Sequence, residues 1–321
     1  MMNYIVISFR FLFSNKWKIA LTFMMTLVFL FLLFPLSDLN DLVSSQVSKL
    51  TNNMVFLQFD KMHLNPFTAS VSLEKVYVET PTISSVTSEQ LELSPSISAL
   101  LAKKPGGRIT AKGFLKGELE IVVQPAPSDK GADKSRIEVV ASNISLKEAR
   151  AVANISLPIK GELSLTSQAV ADLTMTEQPE LDLNIVIMKF EMASTFVPLQ
   201  DFGQLALPEI KLGKIELKGR LANGKFQIEN GKLGTNKDEL YGEIKGDLSV
   251  TFQNMNGQIA PVIGAYNISV DLNATPIFRD KARLFLSFLD GYKVGSGPVS
   301  HYKFKISAAQ MGMAPQFTPL R

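Results

Sequence analysis

The chain has 321 residues, 46% of them hydrophobic, with a mean hydropathy of +0.14 and a formal net charge of +3. That is too apolar for an ordinary soluble domain and too polar for a polytopic membrane protein, so it implies one membrane segment on a water-facing body. Residues 1–37 hold Arg10, Lys16, Lys18 and no acid, which leaves a neutral remainder and excludes a globally basic nucleic-acid binder, while zero cysteines exclude disulfides and thiol chemistry.

Residues 1–18 form the N-terminal stretch. Ile5, Phe9, Leu12 and Phe13 share one helical face, with Trp17 at the interface. Either a surface-lying helix or a cytoplasmic extension of the span fits this pattern. From Ile19 to Ser37 there are 19 residues without a charge, and twelve of them are Leu, Ile, Phe or Val. At 1.5 Å per residue such a helix is ~28 Å long, close to the ~30 Å hydrocarbon core. Residues 19–37 are therefore expected to be a transmembrane helix, with Ile19, Leu27, Phe31 and Phe34 as anchor residues. A cleaved signal peptide needs small residues before the cut. The exit through Phe34-Pro35-Leu36-Ser37-Asp38 has none, so the segment reads as an uncleaved anchor. The basic residues at 10, 16 and 18 against Asp38 and Asp41 put the N-terminus inside and the body, residues 38–321, outside. In a bacterium that is the inner membrane, with the body in the periplasm.

After the span, Leu39, Leu42, Val43, Gln46, Val47 and Leu50 recur at helical spacing. They predict an amphipathic helix capped by Ser37 or Asp38 and packed on the first strands. Ser96–Lys103 predicts a short helix, with Gly106-Gly107-Arg108 as its C-cap and turn. Residues 124–135, QPAPSDKGADKS, are polar and proline-rich between strand-like flanks, which favours a flexible hairpin tip over a domain linker. Leu157–Met175 alternates over more than one ordinary strand length, so a bend is expected at Gly161 or at Ser167-Gln168. In Leu181–Met192 the apolar set changes parity, which means either a bulge or a strand covered on both faces. Another helical turn or two is expected over 194–202.

Ile215, Leu217 and Leu221 then alternate with Lys214, Glu216, Lys218 and Arg220 up to Asn223-Gly224, a strong hairpin signal that Asn230-Gly231 repeats. Leu240–Phe252 places Leu240, Gly242, Ile244, Gly246, Leu248, Val250 and Phe252 on one face. A strand through Tyr266–Leu272 follows. Pro276–Asp290 predicts a helix, with Thr275 as cap and Phe278, Ala282, Phe285, Phe288 and Leu289 as stripe. Tyr302, Phe304 and Ile306 form the last strand expected.

Roughly ten to twelve strands with one apolar face each are spaced ~4.8 Å apart, and a helix ~10 Å across covers about two of them. Three helices cannot cover that face. The sheet must curl on itself, or meet a partner, or meet lipid. Leu163, Leu165, Ile215, Leu217, Ile244, Leu248, Val250 and Phe252 are the residues that would line an open groove.

Catalytic constellations are absent. The two histidines, His63 and His301, lie far apart in sequence, and no phosphate-binding glycine motif occurs. Strand carboxylates alternate with lysines, as on a solvated face. No enzyme activity, cofactor or metal is expected.

Several stretches together carry a family resemblance. They are the span ending in Phe34-Pro35, the helix SDLNDLVSSQVSKL, LELSPSISALLAKKPGG at 91–107, and residues 207–250. The last of these contains G-x-I-x-L-x-G at Gly213–Gly219 and G-x-I-x-G at Gly242–Gly246. The chain closes on YKFKI followed by Gly312 and Pro315. It resembles the GspN-type protein N of type II secretion systems, in the long form similar to AsmA-like periplasmic proteins. The resemblance implies an elongated, curved, antiparallel sheet, as a groove or flattened sandwich, with few helices. It also implies an inner-membrane-anchored, non-catalytic accessory whose partners are other type II secretion subunits. The AsmA-like relatives add an alternative, binding or transfer of phospholipid or another lipid in a hydrophobic β-groove.

Overall fold

Alternation of apolar and polar residues, carried through most of the chain, produces a single dominant sheet. The computed structural model describes residues 16–33, 39–65, 68–80, 85–101, 103–104, 106–127, 131, 134–172, 177–199, 203–255, 258–310 and 312–320. Two helices open the chain, α1 (Lys16–Leu33) and α2 (Asn40–Leu50). Four strands follow, β1 (Phe56–Gln58), β2 (Lys61–Asn65), β3 (Ser70–Glu79) and β4 (Val86–Pro95), and then helix α3 (Ile97–Leu101). Next come β5 (Gly107–Phe114), β6 (Gly117–Pro125), β7 (Lys134–Ser145), helix α4 (Leu146–Val152), β8 (Ile159–Asp172) and β9 (Glu180–Met192). A small hairpin, β10 (Thr195–Leu199) and β11 (Gly203–Leu207), precedes β12 (Ile210–Ala222), β13 (Lys225–Leu233), β14 (Leu240–Met255) and β15 (Gln258–Ala274). The chain continues through α5 (Pro276–Lys281), α6 (Arg283–Ser287), a 3₁₀ turn at Asp290–Tyr292, β16 (Lys293–Val294), β17 (Ser300–Ala308) and β18 (Gln316–Pro319).

All strands except β10 and β11 belong to one 16-stranded sheet in the order β1-β3-β4-β5-β6-β7-β8-β9-β12-β13-β14-β15-β17-β16. Neighbours are nearly always consecutive in sequence, and the pairings are antiparallel throughout, so short connections suffice. Both edges are built from two short strands end to end. β1 and β2 share β3, and β16 and β18 share β17. Short, interrupted edges limit further strand addition.

Helices cover the two ends of the sheet. Leu39, Val43 and Val47 of α2 pack on Leu57, Leu73 and Val76. Phe278, Ala282, Leu286 and Leu289 pack on Val270, Ala274, Tyr302 and Phe304. The third hydrophobic cluster, around Leu221, Phe226 and Ile228, draws only on β9, β12, β13 and β14. Among the described residues no cluster joins strands from opposite ends of the order.

Several local expectations are met. Asn223 and Gly224 take φ values of 53° and 72°, the left-handed pair that a two-residue hairpin turn requires, and Ala222 pairs with Lys225. Residues 124–135 are the tip of a hairpin, since Pro125 of β6 pairs with Ser135 of β7. Gly161, at φ 144°, marks a register shift between Lys160 and Glu162, so β8 continues unbroken through Ser167-Gln168. In β9 the parity change is an irregularity at Lys189, which takes φ 52° opposite that same shift.

Others are corrected. Asn230-Gly231 is a bulge within β13. Gly231 is buried there, and a Cβ would lie 2.7 Å from the Ile244 carbonyl oxygen, so the glycine serves close strand approach. Residues 195–199 and 203–207 form a β-hairpin where helical turns were expected. The predicted helix over 276–290 breaks at Ala282 into α5 and α6, and Phe288 is exposed while Leu286 takes the buried position. Thr275 does cap it, accepting from the Phe278 amide. Helix α2 has Leu39 at its cap position, Ser37 and Asp38 lie outside the described residues, and Asn40 Nδ2 donates to the carbonyls of Phe59 and Asp60. Helix α3 is followed by Lys103 at φ 53°, whereas Gly107 starts β5 and Gly106 lies just before it, where a Cβ would meet Ala99 at 2.4 Å. The strand through Tyr302–Ile306 is followed by β18. Among the described residues the strands number eighteen, above the ten to twelve expected, chiefly because two- to five-residue edge strands carry no readable period.

Candidate functional site

Register turns the alternation of each strand into rows that cross the sheet. One row runs Met62, Leu73, Leu91, Ala111, Leu119, Ala141, Leu165, Ile185, Leu217, Gly231, Ile244, Val270, Phe304, Pro319. Every member is apolar or glycine. Paired residues of neighbouring strands point to the same face, so the row is a continuous apolar band roughly 60 Å wide at ~4.8 Å per strand. A parallel row carries Leu163, Ile187, Ile215, Leu233, Gly242, Leu272 and Tyr302. A third carries Ala169, Leu181, Leu221, Phe226, Leu248 and Tyr266.

The other face is the reverse. The row Ser94, Arg108, Val122, Glu138, Gln168, Asp182, Arg220, Gln227, Asp247, Asn267, Ser307, Gln316 has one apolar member. Ion pairs lie across it, including Arg220–Asp182 at 3.7 Å and Lys225–Asp247 at 3.1 Å. The carboxyl of Glu216 is held below the usual range by its hydrogen bond to Lys214, and Lys116 does the same for Glu148. Glu209 is lowered and Lys211 raised by their mutual hydrogen bond. Each histidine has a carboxylate partner, His63 with Glu74 at 3.2 Å and His301 with Asp271 at 2.6 Å, and Lys303 shares Asp271. Among the described residues no group of acidic or histidine side chains could hold a metal ion.

All eight residues expected to line a groove lie on the apolar face. Leu217, Ile244, Leu248, Val250 and Phe252 come together around Leu221, Phe226 and Ile228. Leu163 and Leu165 sit on β8, each one strand away from the β9 partners of Ile215 and Leu217. All eight are half-buried, in contrast to Leu221 at 1% exposure. Among the described residues no helix contributes to the cluster around Leu221, Phe226 and Ile228, and α4, which contacts β7 and β8, stands between the end of one and the start of the other. Among the described residues the only other sheet is the β10–β11 hairpin. Near the α2 end, the face deepens into an apolar hollow of about 300 Å³ lined by Val76, Val78, Leu91, Ile109, Phe114 and Leu119. Sequence reasoning missed this hollow, because it is made by residues of β3 to β6 that only the register of four strands brings together.

The predicted anchor divides between described and undescribed residues. Ile19 lies in α1, the side chains of Leu27 and Phe31 lie outside the described set, and Phe34 lies outside it altogether. Among the described residues no helix is long and apolar enough to cross a membrane. The uncharged part of α1, Ile19–Leu33, spans about 22 Å at 1.5 Å per residue. Its side chains Leu21, Phe23, Met24, Met25 and Phe29 are nevertheless all exposed.

Among family models, that of the type II secretion system protein GspN-like family, Synergistales, matches residues 16–204, well over half of the chain. No curated protein and no solved structure matches.

Proposed function

The chain belongs to the GspN-like family of type II secretion system proteins, and from that premise we propose that it is a membrane-anchored, non-catalytic accessory of that machine. Its N-terminus lies in the cytoplasm and its β-rich body in the periplasm. The anchor reading is supported by α1, whose Leu21, Phe23, Met24, Met25 and Phe29 are all exposed and, among the described residues, belong to none of the hydrophobic clusters of the body. Its two hydroxyls are satisfied internally, Thr22 donating to the Lys18 carbonyl and Thr26 to the Thr22 carbonyl, both at 2.8 Å. Lys16 and Lys18 at one end and Asp41 beyond the other support the orientation.

The single observation that carries a role in contacts is the two-faced sheet. A polar face laced with ion pairs suits water, and an apolar face this wide, with no helix of the described residues in the cluster at Leu221, Phe226 and Ile228, suits an occupant. Mild crosslinking followed by purification of the full chain from its host tests the secretion role. Recovery of other secretion subunits is expected; a clean preparation without any of them contradicts it.

A second reading is favoured by the half-buried state of Leu163, Leu165, Ile215, Leu217, Ile244, Leu248, Val250 and Phe252. In it, the occupant of the face is a phospholipid or another lipid, whose acyl chains complete a burial that the protein leaves unfinished. Native mass spectrometry of the chain released from nanodiscs should then show bound lipid beyond a single annular shell. A lipid-free spectrum excludes this reading and leaves the first intact.

A further inference from the structure

Strands β14 and β15 run on past both of their neighbours. β13 pairs with β14 only as far as Ser249, and β17 pairs with β15 only from Tyr266 onward. Beyond those points the two continue as a ribbon, Val250 opposite Ile263, Phe252 opposite Pro261 and Met255 opposite Gln258. Six residues a strand at ~3.3 Å each make a projection of about 20 Å. None of residues 248–270 is charged, although charged residues make up 20% of the chain. Val250, Thr251, Phe252, Val262 and Ile263 are strong strand formers. An uncharged, β-prone ribbon with open edges is a template for pairing with another copy of itself.

The hydrogen bonds show which groups those edges present. In an antiparallel pair, directly opposed residues turn their N–H and C=O groups either both toward each other or both away. On β14 the Val250 amide donates to the Gly224 carbonyl at 2.9 Å, away from β15. The Phe252 amide donates to Gln178 Oε1 at 2.8 Å, and Gln178 Nε2 donates to the Phe252 carbonyl at 3.0 Å. The Gln178 side-chain amide thus pairs with Phe252 as a neighbouring strand would, and satisfies that edge. Phe252 faces away from β15, so Pro261 opposite it faces away from β14, as does Ile263 opposite Val250. Among the described residues no strand pairs with that side of β15 over 258–265. The open edge therefore carries proline at a position where any other residue would point an N–H outward. A bulge stands where β17 stops, since Gly264 and Ala265 together oppose Ser249, and bulges turn an edge away from flat pairing.

The structure assigns to Pro261 the role of an edge guard. By withholding one donor from the middle of the open edge of β15, it keeps the ribbon of one copy of this chain from adding to the ribbon of a second. Lysines commonly do this at sheet edges, and this stretch has none.

Full-length Pro261→Thr, which restores the N–H in a residue suited to strands, is compared with the unaltered chain in detergent micelles. Light scattering after size exclusion gives the protein mass over a range of concentrations, and hydrogen exchange reads the Ile263 amide. The unaltered chain should show exchange at Ile263 that is independent of concentration. Pro261→Thr should reach about twice the mass, with exchange at Ile263 slowed about tenfold as concentration rises. Adding Val262→Lys should restore the original mass and rate. Pro261→Ala, which supplies the same donor on the smallest side chain, repeats the comparison if the threonine alters the melting transition. Mass and exchange equal to those of the unaltered chain in both variants overturn the assignment. Association that leaves Ile263 unprotected also overturns it, as does concentration-dependent protection of Ile263 in the unaltered chain.

Discussion

Ile244→Asp distinguishes a face that stays open from one that is sealed. Ile244 sits mid-row between Gly231 and Val270 and is half-buried. Complete burial of such a side chain is worth ~1.5–3 kcal/mol, so removing a half-buried one costs about 1–2 kcal/mol. A carboxylate there keeps access to water, and the added desolvation cost is small. Leu221→Asp is the internal reference. Leu221, on the same apolar face, is 1% exposed, and burying an unpaired charge with the loss of a full leucine costs ~4 kcal/mol or more. Urea denaturation of the two full-length variants in nanodiscs, followed by circular dichroism, gives both values. The account predicts that Ile244→Asp folds and loses less than half of what Leu221→Asp loses. Equal losses would show that Ile244 is sealed from water, and the reasoning from half-burial would be wrong.

Three further outcomes follow from the same geometry. Gly219→Ala should cost about 1–3 kcal/mol, read by thermal melting, because the new Cβ would sit 2.4 Å from the Phe226 ring and 2.7 Å from the Gln227 carbonyl oxygen. Asp238→Ala should cost about 1–2 kcal/mol and speed amide exchange at Gly213 and Thr235, since Asp238 Oδ2 accepts from both amides, at 3.0 and 2.7 Å, and from the Thr235 hydroxyl. The lowered carboxylates of Glu148, Glu209 and Glu216 stabilise the fold above their unfolded pKa near 4.3, and that contribution is lost as pH falls through their lower folded values. Melting temperature should therefore be flat from pH 7 to about 5 and fall below about 4, with a shallower fall at high salt because these pairs are exposed.

Much of the architecture was legible because its signal is local. Period-two alternation in β12, β14 and β15 reports burial of one face, whatever covers it, and Asn223-Gly224 fixes a turn by backbone sterics alone. What was misread depends on distant partners. Asn230-Gly231 has the same dipeptide chemistry as a turn, yet the strand continues, because Ile244 on β14 needs a glycine opposite it. Helical turns were expected over 194–202, but five residue pairs join 195–199 to 203–207 as a β-hairpin, a pairing that no short window of sequence announces. Edge strands such as β16 and β18 take their conformation from β17 and carry little pattern of their own. The eight face residues were found because they stand at alternate positions of long strands. The hollow beside Phe114 and Leu119 depends on four strands coming into register, which no single stretch of sequence announces.

The central claim is a secretion-machine component that presents its sheet to a partner from the membrane. It is tested most directly in cells, with a photoreactive amino acid placed at Leu248 on the apolar face, and at Lys218 on the polar one, in the full-length chain. After irradiation of an actively secreting culture, purification should yield adducts that contain another type II secretion subunit. Adducts confined to lipid, or none at either position, would contradict it.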